Sequence, residues 1–227
     1  MLATSANAQR VASVGALVTT VVEGKNGAVI ELAAGTFKLT QPLELKTGMT
    51  LKGTGIGKTI ITHAEGWQAN PATLPDPETN HEKFDRTGYL IRCANDAKDI
   101  TVSHLTLTGP QMHGAISGFG NEGLDFHDLR IQDFLYSGIR TYAMKRVKIH
   151  DCTFVDAGQR WDNGKPGVKG REARRVHIHH NTIEAGFSIE LPFEGDEQPQ
   201  SRSISTPPLC PPKLCPERQP GDSVRRL

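Results

Sequence analysis

Apolar and polar residues alternate in four stretches of the chain that can be laid over one another. They are "ITVSHLTLTG" from residue 100, "LDFHDLRIQDF" from 124, "VKIHDCTFVDAG" from 147 and "VHIHHNTIEAG" from 176. Their anchors Val102, Phe126, Ile149 and Ile178 lie 24, 23 and 29 residues apart, the last gap holding the extra loop "GQRWDNGKPG". Alternation with a period of two is a strand signal, and its return once per coil of this length predicts a parallel β-solenoid. Equivalent residues of neighbouring coils then stack at ~4.8 Å. The inward stacks are Val102/Phe126/Ile149/Ile178, Leu105/Leu129/Cys152/Asn181 and Leu107/Ile131/Phe154/Ile183. A leucine-rich repeat does not fit, because its LxxLxLxxN frame is absent.

A second strand per coil lies about ten residues upstream of each anchor: "AISGF" with Ile116, "GIRTY" with Ile139 and "GVKGRE" with Val168. The following coil contributes "FSIELPF" with Ile189. Outward positions of these strands form one column, Ser117, Arg140, Lys169 and Glu190, beside a second of Phe119, Tyr142, Arg171 and Pro192. Before the repeat, "AVIELAAGTFKL" and "LELKTGMTLKGTG" supply the first rungs, and "THAEGWQANPATLPDPETNHEKFDRTG" reads as an excursion loop. The expected organisation is a capping segment over residues 1–24 with a helix over 6–22, an all-β parallel helix over 25–197, and a tail over 198–227. The tail holds seven of the 14 prolines, which cannot donate to a strand ladder. It reads either as a disordered tail or as a foreign sequence that cuts off the last rung.

Composition agrees with many short strands: 23 glycines, 6% aromatic and 37% hydrophobic residues in 227 are thin for a helical bundle. Lys and Arg number 26 against 25 Asp and Glu, so a net charge of +1 provides no global field for nucleic acid or an anionic membrane. No run approaches the ~20 apolar residues of a membrane span. The first residues lack the basic region of a signal peptide. Of the four cysteines, Cys93 and Cys152 fall in alternating stretches and read as buried thiols. "CPPKLC", with Cys210 and Cys215, has neither redox nor zinc spacing.

The histidines His127, His150 and His179 form an outward column headed by Ser103, next to Thr101, Asp125, Lys148 and His177. A flat column of this kind offers two metal donors at most, against the four convergent ligands of a closed zinc site. Neither metal nor cofactor is expected.

"GAVIELAAGTFKLTQPLELKTGMTLKGTGIGKTII" and the unit "VHIHHNTIEAG" resemble the first rungs and the repeat of the pectin-lyase-like right-handed parallel β-helix superfamily, over about residues 6–197. Val168-Lys169-Gly170 followed by "HHNTI" is similar to the lysine segment of the alginate and chondroitin-B lyases of polysaccharide lyase family six. That resemblance implies a β-elimination on an acidic polysaccharide, with Lys169 as the base that removes the proton α to a uronate carboxylate. Where those lyases carry Leu-Arg-His-Gly one coil later, this chain has Ile189-Glu190-Leu191-Pro192, which leaves Arg140 or Arg171 to neutralise the carboxylate. "GLDFHD" resembles more faintly the Asp-Pro-His motif of mannuronan epimerases, with Phe126 in place of the proline.

Three readings follow. One is a lyase with Lys169, Arg140 and Arg171 as its catalytic residues. Its substrate contacts would be Tyr142, Trp161, Asp162, Glu190 and Ser117. Another is a carbohydrate-binding solenoid without chemistry, with Tyr142, Trp161 and Phe119 as stacking platforms. The third is an inert scaffold whose charged column is only a surface ladder. The expected partner is an acidic polysaccharide, with no nucleic acid and no membrane, bound by a monomer. The resemblance implies an extracellular or periplasmic protein.

Overall fold

The computed structural model describes residues 8–67, 88–135, 137–157, 168–171, 174–184 and 189–190. Within them the chain is a parallel β-solenoid of about five turns with a single short helix near its N-terminus. One sheet runs through Gln9–Val11, Val29–Leu32, Thr50–Lys52, Thr101–Thr108, Asp125–Phe134, Lys145–His150 and Arg174–His179. Gly35–Leu39, Thr59–His63, Thr153–Ala157 and Thr182–Glu184 extend it sideways. The second sheet stacks Leu43–Leu45, Tyr89–Cys93, Gly114–Phe119, Ser137–Tyr142, Val168–Arg171 and Ile189–Glu190.

Each coil places three apolar positions inward, and the pairing register turns them into continuous columns. Ile30, Leu51, Val102, Phe126, Ile149 and Ile178 follow one another in the first sheet. Phe37, Ile61, Leu107, Ile131, Phe154 and Ile183 form a second column. Leu43, Ile91, Ile116, Ile139, Val168 and Ile189 form the third, on the opposite sheet. The members of these columns from Ile30 to Phe154 whose exposure is described are no more than 2% accessible. Burial of each such side chain stabilises the fold by ~1.5–3 kcal/mol. The expected stacks are therefore the core as far as Ile149, Cys152 and Phe154, while Asn181 at the end of one of them is only partly buried.

The N-terminal cap differs from the expected continuous helix. Gln9–Val11 is a strand paired with Ile30–Leu32, and the helix covers Val14–Glu23. Ser13 decides the boundary. It is extended at φ −138° and its hydroxyl accepts the Ala16 N–H at 3.2 Å, so the helix begins after it while the residues before it add a rung. The helix lays Leu17 and Val21 on the open end of the core. Its C-terminal carbonyls are covered by Lys46, whose Nζ donates to Val22 O at 2.7 Å and Gly24 O at 3.0 Å.

Cys93 and Cys152 are buried in the core, as their alternating contexts imply. Burial pushes the Cys152 thiol up to about 12, its Sγ lying against the carbonyls of Phe126 and His150. The thiolate is the reactive species, so Cys152 should stay unlabelled by a maleimide at pH 8 in the native protein. The same cysteine should react once the chain is unfolded. Peptide mapping after each treatment checks this, and native labelling at Cys152 would contradict its burial.

The proposed tail over 198–227, the loop over 68–87 and the loop over 158–167 lie outside the described residues.

Candidate functional site

The first candidate face is the outside of the second sheet. Its register puts Glu44, Arg92, Ser117, Arg140, Lys169 and Glu190 on six successive rungs. The expected column of Ser117, Arg140, Lys169 and Glu190 is thus assembled. It is also two rungs longer than expected, because "LEL" and "YLIRC" continue the same alternation. At its start Arg92 Nη2 lies 2.6 Å from Glu44 Oε2. The neighbouring column brings Phe119, Tyr142 and Arg171 into register. Trp161 and Asp162 lie outside the described residues.

One property of this face departs from the expectation of a solvated docking strip. Arg140 is 8% exposed and Ser117 is fully buried, its Oγ without a hydrogen-bond partner. Leu90 and Ala115, which alternation sets on the same side as Arg92 and Ser117, are fully buried as well. Alternation tells on which side of a sheet a residue lies, and nothing about what covers that side.

The second candidate face is the outside of the first sheet. His104, Asp128, Asp151 and His180 each sit just beyond an inward anchor and its outward neighbour, at φ values of 51° to 57°. A left-handed residue interrupts the alternation, so two consecutive side chains emerge on the same side before the chain turns inward again. Asn, Asp and His tolerate that region better than β-branched residues, and the column uses Asp and His throughout. His127 with Asp128, His150 with Asp151 and His179 with His180 therefore stand as outward pairs, with His104 at their head.

The rings of His127, His150 and His179 stack at 5.0 and 4.9 Å with interplanar angles of 4° and 3°. Beside them, His127 Nδ1 lies 2.8 Å from Asp128 Oδ2 and His150 Nδ1 2.7 Å from Asp151 Oδ2. His150 Nε2 also approaches Asp125 Oδ1 at 3.2 Å. The hydrogen bond from His150, with smaller Coulombic help from His150, His180 and His179 against partial desolvation, holds the Asp151 carboxyl below its usual range. At the head of the ladder His104 Nε2 is 3.7 Å from Asp128 Oδ2, and its ring meets that of His127 edge to face at 5.4 Å. His104, His127 and Asp128 offer three donor atoms within 4.8 Å of one another. Two donors at most was the expectation for a flat column; here the column supplies only His127, and the left-handed residues His104 and Asp128 supply the other two.

The repeat alignment passes over His104 because Ser103 occupies the aligned position. The three-residue step from Val102 to Leu105, repeated from Phe126 to Leu129 and from Ile149 to Cys152, is the signal that marks it.

No family model and no curated protein matches this chain. Among solved structures it is similar to a candidate glycosyl hydrolase from Parabacteroides merdae at a TM-score of 0.55 and 12% identity, over 77% of this chain and 81% of that one. It is similar to ORF18 of Geobacillus virus E2 at a TM-score of 0.54 and 13% identity, over 71% of this chain and 30% of that one. It is also similar to PfbA, a surface adhesin of Streptococcus pneumoniae, at 0.51 and 12%, over 72% of this chain and 43% of that one. The chain spans less than half the length of the last two. At these identities the likeness is one of fold alone.

Proposed function

We propose that this chain is a polysaccharide-active β-helix of lyase type, working outside the cytoplasm on an acidic polysaccharide. The observation that carries the reading is the register of Arg92, Ser117, Arg140 and Lys169 on consecutive rungs, with Arg171 two residues from Lys169 on the same strand. Three guanidinium groups and an amine within a few rung spacings suit a polymer that repeats a carboxylate. In this reading Lys169 is the base. It takes the proton α to the uronate carboxylate, electrons move to expel the glycosidic oxygen at the β carbon, and an unsaturated sugar end remains. Arg140 and Arg171 neutralise the carboxylate as charge develops, and they favour the neutral amine of Lys169 by like-charge repulsion.

Glu190, in register with Lys169, acts in the opposite sense by favouring the charged amine. Low turnover is therefore expected. The test is the ultraviolet absorbance of unsaturated uronate during incubation with alginate, pectate or a glycosaminoglycan. The expected result is a slow rise that Lys169→Ala abolishes, with circular dichroism unchanged. No rise on any polyuronate, together with sugar binding that survives Lys169→Ala, would overturn the lyase in favour of a carbohydrate-binding solenoid.

A further inference from the structure

We infer that His104, His127 and Asp128 form a binding site for one divalent transition-metal ion of the zinc class. The inference is independent of the proposed lyase activity, since these residues lie on the other sheet.

Two imidazoles and a carboxylate are a donor set for borderline first-row ions rather than for calcium, which takes oxygen ligands. Metal–ligand bonds of ~2.0–2.1 Å at tetrahedral angles set donor atoms about 3.3–3.4 Å apart. The distances from Asp128 Oδ2, 2.8 Å to His127 Nδ1 and 3.7 Å to His104 Nε2, straddle that value. Small rotations of half-buried side chains would equalise them. Three protein ligands leave one tetrahedral position for water or another small ligand, the pattern of an open site.

The surroundings favour a held ion over a loose surface cluster. His104 and His127 come from adjacent rungs locked in register, Val102 on Phe126 and Ser103 on His127, so their spacing is set by backbone hydrogen bonds. His127 is further fixed by its stack on His150. The hydrogen bonding around His104 is also incomplete: its Nδ1 is buried with no partner, so the ring is not held by a closed network of its own. A metal bond at the other ring nitrogen supplies the anchor that the protein alone does not.

The test is isothermal titration of the full-length chain, purified without a histidine tag, with Zn²⁺ and separately with Ca²⁺. One Zn²⁺ per chain and no Ca²⁺ heat are expected. His104→Asn and Asp128→Asn are the diagnostic variants, because asparagine tolerates the left-handed backbone at φ 57° and 51°. Each should weaken Zn²⁺ binding by at least ~100-fold, the upper end of what losing even a supporting group costs. His180→Asn, two rungs beyond Asp128, should leave the affinity unchanged. X-ray absorption of the Zn²⁺ complex should show only nitrogen and oxygen neighbours, two of them imidazole. Lack of Zn²⁺ binding, binding that both asparagine variants retain while still folded by circular dichroism, or a sulfur shell would each overturn the assignment.

Discussion

Replacing Phe126 by alanine is expected to destabilise the protein by about 3–5 kcal/mol. The ring is fully buried within an inward column of the first sheet, between Val102 on one rung and Ile149 on the next. Its removal takes away the transfer free energy of an aromatic side chain and leaves a cavity. The walls of that cavity are strands pinned in register on both sides, so they cannot close over it. In a solenoid each coil contacts only its neighbours, and a void at one coil weakens both interfaces that the coil makes. Phe154→Ala tests the same argument in the second column, where the ring is also fully buried. Phe126→Leu should recover most of the loss. Urea unfolding midpoints of the three variants check this. A loss below ~1 kcal/mol for Phe126→Ala would mean that the column is not packed as described.

Asn121→Ala is expected to cost about 3 kcal/mol or more although it removes no apolar contact of note. Asn121 is fully buried and serves as a bracket between coils. Its Nδ2 donates to Ala94 O at 2.8 Å and Ala97 O at 3.0 Å, and its Oδ1 accepts the Phe119 N–H at 2.7 Å. Alanine removes all three hydrogen bonds, although Ala94 O keeps the Ala97 N–H and Ala97 O keeps the Glu122 N–H; each lost bond costs ~0.5–1.5 kcal/mol, and more where a buried donor is left unsatisfied. Asn121→Asp separates shape from donation. It keeps the outline but has no N–H to give the two carbonyls, so a comparable or larger loss is expected. If Asn121→Asp were as stable as the parent, the donated bonds would not be what matters. Unfolding midpoints read beside those of Phe126→Ala decide it.

The core is legible in the amino-acid pattern because both signals that define it are local. Strand alternation gives the side of the sheet, and the constant coil length gives the partner. Hence the residue pattern alone stacks Val102, Phe126, Ile149 and Ile178, and separately Ile116, Ile139, Val168 and Ile189. What alternation cannot show are the places where it is broken or overlaid. Gln9–Val11 reads as part of the capping helix because the apolar spacing runs on through it; only the Ser13 cap marks the change. Ser117 and Arg140 fall in the right column, yet their burial depends on what covers that column. Asp128 escapes notice as a donor because nothing in a two-residue period allows its side chain to emerge beside that of His127. Asn121 lies between strands, where its value rests on carbonyls 24 and 27 positions away.

The left-handed residue that follows each outward histidine also makes this face easy to rewrite. Phe126 and Leu129 stay inward as long as position 128 holds a residue that tolerates the left-handed backbone, and the same separation holds around 150–151. Selection can therefore exchange one coil's pair of outward residues without disturbing the packing of that coil or the register of the next. The face behaves as a short text of two-letter words, one per coil and about 5 Å apart, the spacing of the His127, His150 and His179 rings. Relatives of this chain would then be expected to share the inward columns and to differ word by word along this edge, each spelling a different ligand.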